Sequence, residues 1–314
     1  MKNLTEYGLF NPLLTFLLIT TLLLTEGRAQ TPTDAIMMKQ RESCIAVIYD
    51  HGRWDHYWEG TTLRNNETVS TLNRTMIMPM IAIGIHDKIN LIVSTPYVKT
   101  KSSEPNGGRF AGAEGFQDIG LAIKAELFKH QIGKGKLAVL STVGFSTPMS
   151  NYLSDYRPYS IGFGAYEWSF RGILQYELDN GVYFRSSLAH LWRGQTEAER
   201  DYYYNNGSYY TALMDVPNAW NYQAVAGTWL LNYSLKLEAS YTAIKSTSGD
   251  DIRKYNAGQP TNKVQSDLLG ISAQYYFSKL KGLGLLARFS QVIHGRNTGK
   301  FTTLRGGITY QFKL

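Results

Sequence analysis

The chain has 314 residues, and 32 Lys and Arg against 25 Asp and Glu leave a net charge of +7. The cations are scattered without a basic run, which argues against a nucleic-acid partner, and the single cysteine excludes an intrachain disulfide scaffold or a cysteine-based zinc site. With 22 Tyr and 6 Trp the chain is rich in rings that gather where one side is wet and the other is hydrocarbon.

Lys2 precedes the apolar run Leu13–Leu24, which is short for a bilayer span, and Gly27-Arg28-Ala29-Gln30 follows as a cleavage region with small residues. Residues 1–29 are therefore expected to be a signal peptide and 30–314 the mature chain. Cys44 lies too far along to serve as a lipid attachment site.

Beyond the leader, period-2 alternation recurs and helical periodicity does not. Leu121, Ile123, Ala125 and Leu127 alternate with Ala122, Lys124 and Glu126; Leu137, Val139, Val143 and Phe145 with Ala138, Leu140 and Gly144. Leu235, Leu237, Ala239 and Tyr241 alternate with Lys236, Glu238 and Ser240; Leu269, Ile271 and Tyr275 with Gly270, Ser272 and Gln274. Short turns with hairpin chemistry are predicted at His86-Asp87-Lys88, Ile132-Gly133, Asp179-Asn180-Gly181, Asn232-Tyr233 and Lys281-Gly282. Between them lie polar stretches predicted as long loops near 51–68, 102–117, 148–164, 194–217 and 247–264, with a shorter one near 295–299. Short turns on one side and long loops on the other predict an all-β, up-and-down antiparallel transmembrane barrel of about twelve strands, with both termini on the short-turn side. A soluble β-sandwich would explain neither this asymmetry nor the chain end. There Ile308, Tyr310, Phe312 and Leu314 share one strand face and Gly307, Thr309, Gln311 and Lys313 the other. Gly307, Tyr310, Phe312 and Leu314 resemble the C-terminal signal read by the barrel-assembly machinery of bacterial outer membranes, although such barrels usually end on an aromatic residue.

Three motifs, Leu91-Ile-Val-Ser-Thr-Pro96-Tyr97, Gly115-Phe-Gln-Asp118-Ile-Gly120-Leu121 and Ser146-Thr-Pro148, resemble outer-membrane barrels named after the meta-cleavage pathway of phenol degradation. So does the Tyr49–Gly60 run. The resemblance implies a transporter distantly grouped with hydrophobic-substrate channels of the long-chain fatty acid type, without naming a solute.

If lipid takes the apolar phase, Lys124, Glu126, Arg171, Arg185, Lys236, Glu238, Arg288 and Arg305 face the lumen, because Arg or Lys toward hydrocarbon costs roughly 2–4 kcal/mol at midplane. They would form either an anion-attracting eyelet or a ladder of ion pairs, with Lys124/Glu126 and Lys236/Glu238 supplying counter-charges. Met76, Met78 and Met80 take the phase opposite Ile77, Ile81 and Ile83. They would offer a hydrophobic solute a soft surface, or pack against a plug made by the N-terminal segment or a loop. Asp50, His51, Asp55, His56 and Glu59 form the densest set of metal-ligand types, but without diagnostic spacing, so no metal and no cofactor are expected. Neither His190 nor His294 has a serine placed beside it for nucleophilic catalysis, and no enzyme is expected. Tyr202–Tyr204 and Tyr209-Tyr210 could gather solute or close a loop over the mouth. The expectation is a monomeric barrel in outer-membrane lipid, passing small hydrophobic or amphipathic solutes passively. A narrow anion-favouring porin and a structural or adhesive surface barrel are the alternatives.

Overall fold

The computed structural model describes residues 30–199, 203–204, 208–209, 211–252 and 262–314. The leader, Tyr202, Tyr210 and much of the 247–264 loop lie outside the described residues. Twelve antiparallel strands run around the barrel. They are β1 (Glu42–Trp54), β2 (Leu72–His86), β3 (Ile89–Ser94 continued by Tyr97–Asn106), β4 (Phe110–Phe116 continued by Asp118–Ile132) and β5 (Gly135–Pro148). Then come β6 (Glu167–Leu178), β7 (Val182–Arg193), β8 (Ala219–Leu230), β9 (Leu235–Ser246), β10 (Gln265–Tyr276), β11 (Leu283–Arg296) and β12 (Thr302–Lys313). β1 pairs with both β2 and β12, from Glu42↔Lys313 to Arg53↔Thr302, so the sheet closes on itself and leaves no edge.

Alternation decides which face is which. On β1, Cys44, Ala46, Ile48 and Asp50 are buried, whereas Ile45, Val47 and Tyr49 are exposed. Ile123, Phe184, Ile271, Leu304 and Ile308 are likewise apolar and exposed on the outside. Such a belt is unstable toward water and suits hydrocarbon. Aromatic rings bracket it. Trp168 packs on Phe145 at 4.7 Å and Phe170 on Trp192 at 5.2 Å near the long-loop rim; Tyr275 meets Phe277 at 5.0 Å and Tyr310 stacks on Phe312 at 6.2 Å near the short-turn rim. From Trp220 to Leu230 about ten residues at ~3.4 Å, tilted roughly 40°, span about 25 Å of belt.

The predicted short turns are all present, and their backbones show why those residues sit there. Gly181 (φ 86°) and Gly282 (φ 86°) take the left-handed conformation that glycine adopts without steric cost. The region 102–117, predicted as a loop, is instead a tall hairpin turning at Gly107-Gly108, with Lys99, Thr100 and Lys101 paired to Glu114, Ala113 and Gly112. It rises clear of the apolar belt, so neither face had to be apolar. Where β3 and β4 break, prolines without an N–H interrupt the ladder. Thr95 N donates to Pro79 O, Gln117 N to Pro96 O and Met149 N to Gln117 O, at 3.2, 2.9 and 2.8 Å, forming one irregular row across the wall.

Beyond the belt, His56–Glu59, Thr62–Asn65 and Thr298–Gly299 form a small sheet, and Gln195–Glu197 pairs with Leu213–Asp215. Asn297 ties this sheet to the 247–264 loop: its Oδ1 accepts from Gly60 N and Ile252 N, and its Nδ2 donates to Lys263 O. Arg296 grips Asp251 with a two-pronged bond of 2.7 and 2.6 Å. These bonds from Arg296 hold the Asp251 carboxyl near pKa 2, below its ordinary 3.8. A depressed carboxylate stabilises its fold above the unfolded value and loses that contribution as pH falls through the folded one. Hydrogen exchange of residues 248–252 is therefore expected to stay slow down to about pH 4 and to quicken toward pH 2. An Arg296→Gln variant should exchange fast throughout, and slow exchange in it would count against the tether.

Candidate functional site: a plugged, arginine-lined lumen

Residues 30–41 turn back inside the barrel at its short-turn end. The entry depends on Gly84, where any Cβ would strike the Lys39 carbonyl; Arg41 N bonds Gly84 O at 3.0 Å. Asp34 nucleates the segment by accepting from Thr31 N at 2.6 Å, Thr31 Oγ1 at 2.7 Å and Ile36 N at 2.9 Å, an aspartate turn. Lys124 of β4, with no exposed surface, donates to Asp34 Oδ1 at 2.7 Å and to the carbonyls of Thr31 and Ile36 at 2.9 Å each. Asn90 of β3 accepts from Met38 N and donates to Met38 O, replacing the strand partner that an irregular segment lacks. Thr142 donates to Pro32 O at 3.1 Å. Apolar contacts complete the seat: Met38 lies among Cys44, Tyr183, Val225, Trp229 and Tyr276, and Ala35 and Met37 lie against Ala138, Leu140 and Ile173.

Lys124 thus takes Asp34 as its partner, and the expected Lys124/Glu126 pairing is not formed. A bulge between Glu126 and Phe128 shifts the register, and Glu126 pairs at 3.6 Å with Lys129. Lys236 and Glu238 do pair, at 3.7 Å. Glu238 also accepts from Arg185 at 3.0 Å and from the Tyr183 hydroxyl at 2.7 Å. Arg305 forks onto Asp50 across the β1/β12 seam at 2.6 and 2.7 Å. Three further guanidiniums have only neutral side-chain partners among the described residues. Arg171 donates to Ser187 Oγ and Asn221 Oδ1, Arg288 to Ser240 Oγ, and Arg74 to Gln117 Oε1. The interior therefore carries ion pairs beside arginines that bond only neutral side chains among the described residues.

Met76, Met78 and Met80 face inward. Met76 is covered by Val98 and by Ile161 of the folded-in 149–166 loop, and Met80 lies among Ala46, Ile48, Ala82, Ile92 and Ala122. Contact with that loop accounts for the burial of Met76, whereas Met80 is covered by neighbouring wall side chains and Met78 stays half-buried between the two clusters. The metal-ligand types disperse: Asp50 is held by Arg305, His51 by Thr75 at 3.3 Å, His56 by Asp55 at 2.7 Å, and Glu59 pairs with Arg64 at 2.7 Å. His190 is flanked by Trp192 and Trp220, at 4.0 and 4.6 Å, on the outer wall. Arg74 and Asp34 were missed in sequence. Arg74 betrays itself as the lone charge in the methionine phase of β2, whereas Asp34 has no periodic signal at all.

A closed twelve-stranded antiparallel barrel with an apolar outer belt and a charged interior is the architecture of outer-membrane barrel proteins. An outer-membrane channel from Pseudomonas putida F1 shares this fold, with a TM-score of 0.72 and 12% identity over 90% of this chain and 100% of its own. The β-domain of the Bordetella autotransporter BrkA (TM-score 0.48, 11% identity, 87% of this chain and 100% of that one) and the NanC porin (0.47, 9%, 85% and 100%) are more distant and add nothing to the assignment. No protein-family model and no curated protein matches the chain.

Proposed function

We propose that this chain is an outer-membrane channel for small amphipathic anions, held shut at the periplasmic end by its own residues 30–41. The observation that carries this reading is the set Arg74, Arg171 and Arg288, whose guanidiniums bond only neutral side chains and form no direct ion pair among the described residues. Uncompensated positive charge in a narrow, low-dielectric passage raises the local concentration of anions and repels cations. A purely hydrophobic solute finds less support, because the Met76, Met78 and Met80 surface is already packed. Export through the leader, periplasmic termini and assembly through the outward-facing Tyr310, Phe312 and Leu314 belong to the same reading.

Reversal potentials in planar bilayers test it. The wild-type barrel is expected to favour chloride over potassium. Arg171→Gln with Arg288→Gln should bring the ratio close to unity while leaving the barrel folded, because glutamine keeps a donor for Asn221 and Ser240. An unchanged ratio would remove the arginines from the argument.

A further inference from the structure

The long-loop end holds a second cavity, of about 280 Å³, separate from the lumen arginines. It lies where the outer ends of β1 and β12 meet the 55–71 and 149–166 loops. One wall is aromatic, where Trp54 meets Tyr57 at 6.2 Å and Phe301 edge-on at 5.9 Å with Val69 alongside, and the rest is largely polar, with Asn66, Thr68, Asn106 and Arg157. Three of its lining residues carry buried donors with no hydrogen-bond acceptor among the described residues, namely Trp54 Nε1, Asn66 Nδ2 and Arg157 Nε. A buried donor left without an acceptor loses its hydration without replacement, so three around one cavity mark a place that an acceptor would stabilise.

Arg157 is the most telling of them. Its guanidinium lies 4.5 Å from the Phe163 ring centroid, and Arg193 covers the same ring at 4.6 Å. Arg193 has Glu167 at 2.7 Å, whereas no carboxylate pairs with Arg157 among the described residues. Burial, and then the nearby Arg193, pull the Arg157 pKa down from 12.5 to about 10. An anion beside it would relieve both effects. The acid closest in sequence to the cavity's rim residue Ile252 is Asp251, already spent on Arg296.

We propose that this cavity is a binding site for a small carboxylate on a flat apolar body, at the extracellular mouth. The carboxylate accepts from Arg157, Trp54 and Asn66, and its flat body lies among Trp54, Tyr57 and Phe301. Charge-assisted bonds to a guanidinium hold the anionic end, and ring contacts hold the rest. The volume, at the low end for ligand pockets, limits the occupant to about one ring. A mouth site of this kind would capture solute before passage, but it does not depend on conduction.

Calorimetric titration of the folded mature chain in detergent with sodium benzoate tests the site whether or not the barrel conducts. Saturable one-to-one binding is expected, with benzamide, the uncharged isostere, at least about tenfold weaker. Arg157→Gln should weaken benzoate by about tenfold or more, and Trp54→Phe, which keeps a ring and removes only the donor, by a smaller factor. Heat-modified migration on a gel reports whether each variant has folded. Should Arg157→Gln fail to fold, Trp54→Phe and the benzamide comparison decide. Absence of saturable heat, equal affinity for benzamide, or benzoate affinity untouched in the folded variants would each overturn the proposal.

Discussion

Asp34→Ala is expected to open the barrel. Removing this carboxylate leaves the Lys124 ammonium fully buried with only two carbonyls to hold it, and stripping one partner from a buried pair costs about 3–5 kcal/mol. It also dissolves the turn, because Thr31 and Ile36 lose their shared acceptor. Residues 37–41 keep their bonds to Asn90, Asp87 and Gly84, but residues 31–36 depend on this knot and on Thr142, so the penalty falls on the part of the segment that reaches farthest into the lumen. Single-channel conductance should rise severalfold, and residues 30–41 should become open to added protease. The double variant Asp34→Ala, Lys124→Met removes both charges and should return much of the closed state, because replacing a buried pair with apolar groups is often close to neutral. If Asp34→Ala conducts as little as wild type and resists protease, the segment is not the closure.

Glu238→Leu is expected to have the largest effect on stability. Among the described residues Glu238 is the carboxylate that ion-pairs with Arg185 and Lys236, both nearly buried, and it also takes the Tyr183 hydroxyl. Its loss leaves two cations facing each other across β7 and β9 and a buried phenol with no acceptor, at a cost of about 3–5 kcal/mol. The temperature at which the barrel loses heat-modified migration should fall clearly. Glu238→Gln, which keeps an oxygen for Tyr183 and Arg185, should lose about half as much. A leucine variant as heat-resistant as wild type would show that water, not Glu238, screens this cluster.

Alternation made the belt legible because hydrocarbon outside enforces period 2, and the turn glycines and asparagines punctuated it. The same logic placed Arg171, Arg185, Arg288 and Arg305 inward. It failed where that constraint lapses. Residues 102–117 stand beyond the hydrocarbon, with one face on the 149–166 loop through Ser102, Phe110 and Ala113, so no lipid imposes alternation and Lys-Ser-Ser-Glu-Pro-Asn-Gly-Gly reads as loop although its backbone is paired. The partner of Lys124 was misassigned for two reasons. The bulge after Glu126 has no sequence signature, and Asp34 lies 90 residues away on a segment without periodicity. The mouth cavity was invisible for a similar reason, since Trp54, Asn66 and Arg157 meet only where the end of β1 and two loops converge.

The segment that closes the lumen is the piece of chain leading directly into β1, yet its seat is made by β3 through β8 and β10: Asn90, Lys124, Thr142, Ile173, Tyr183, Trp229 and Tyr276. A segment that precedes the wall in the chain can therefore settle only after most of the wall has been laid down. Until then the aspartate turn has no ammonium to cap and Met38 no apolar nest. Occupancy of the seat thus reports that the wall around it is complete, and an incompletely assembled barrel would leave residues 30–41 unseated, distinguishable from the finished molecule by their openness to protease.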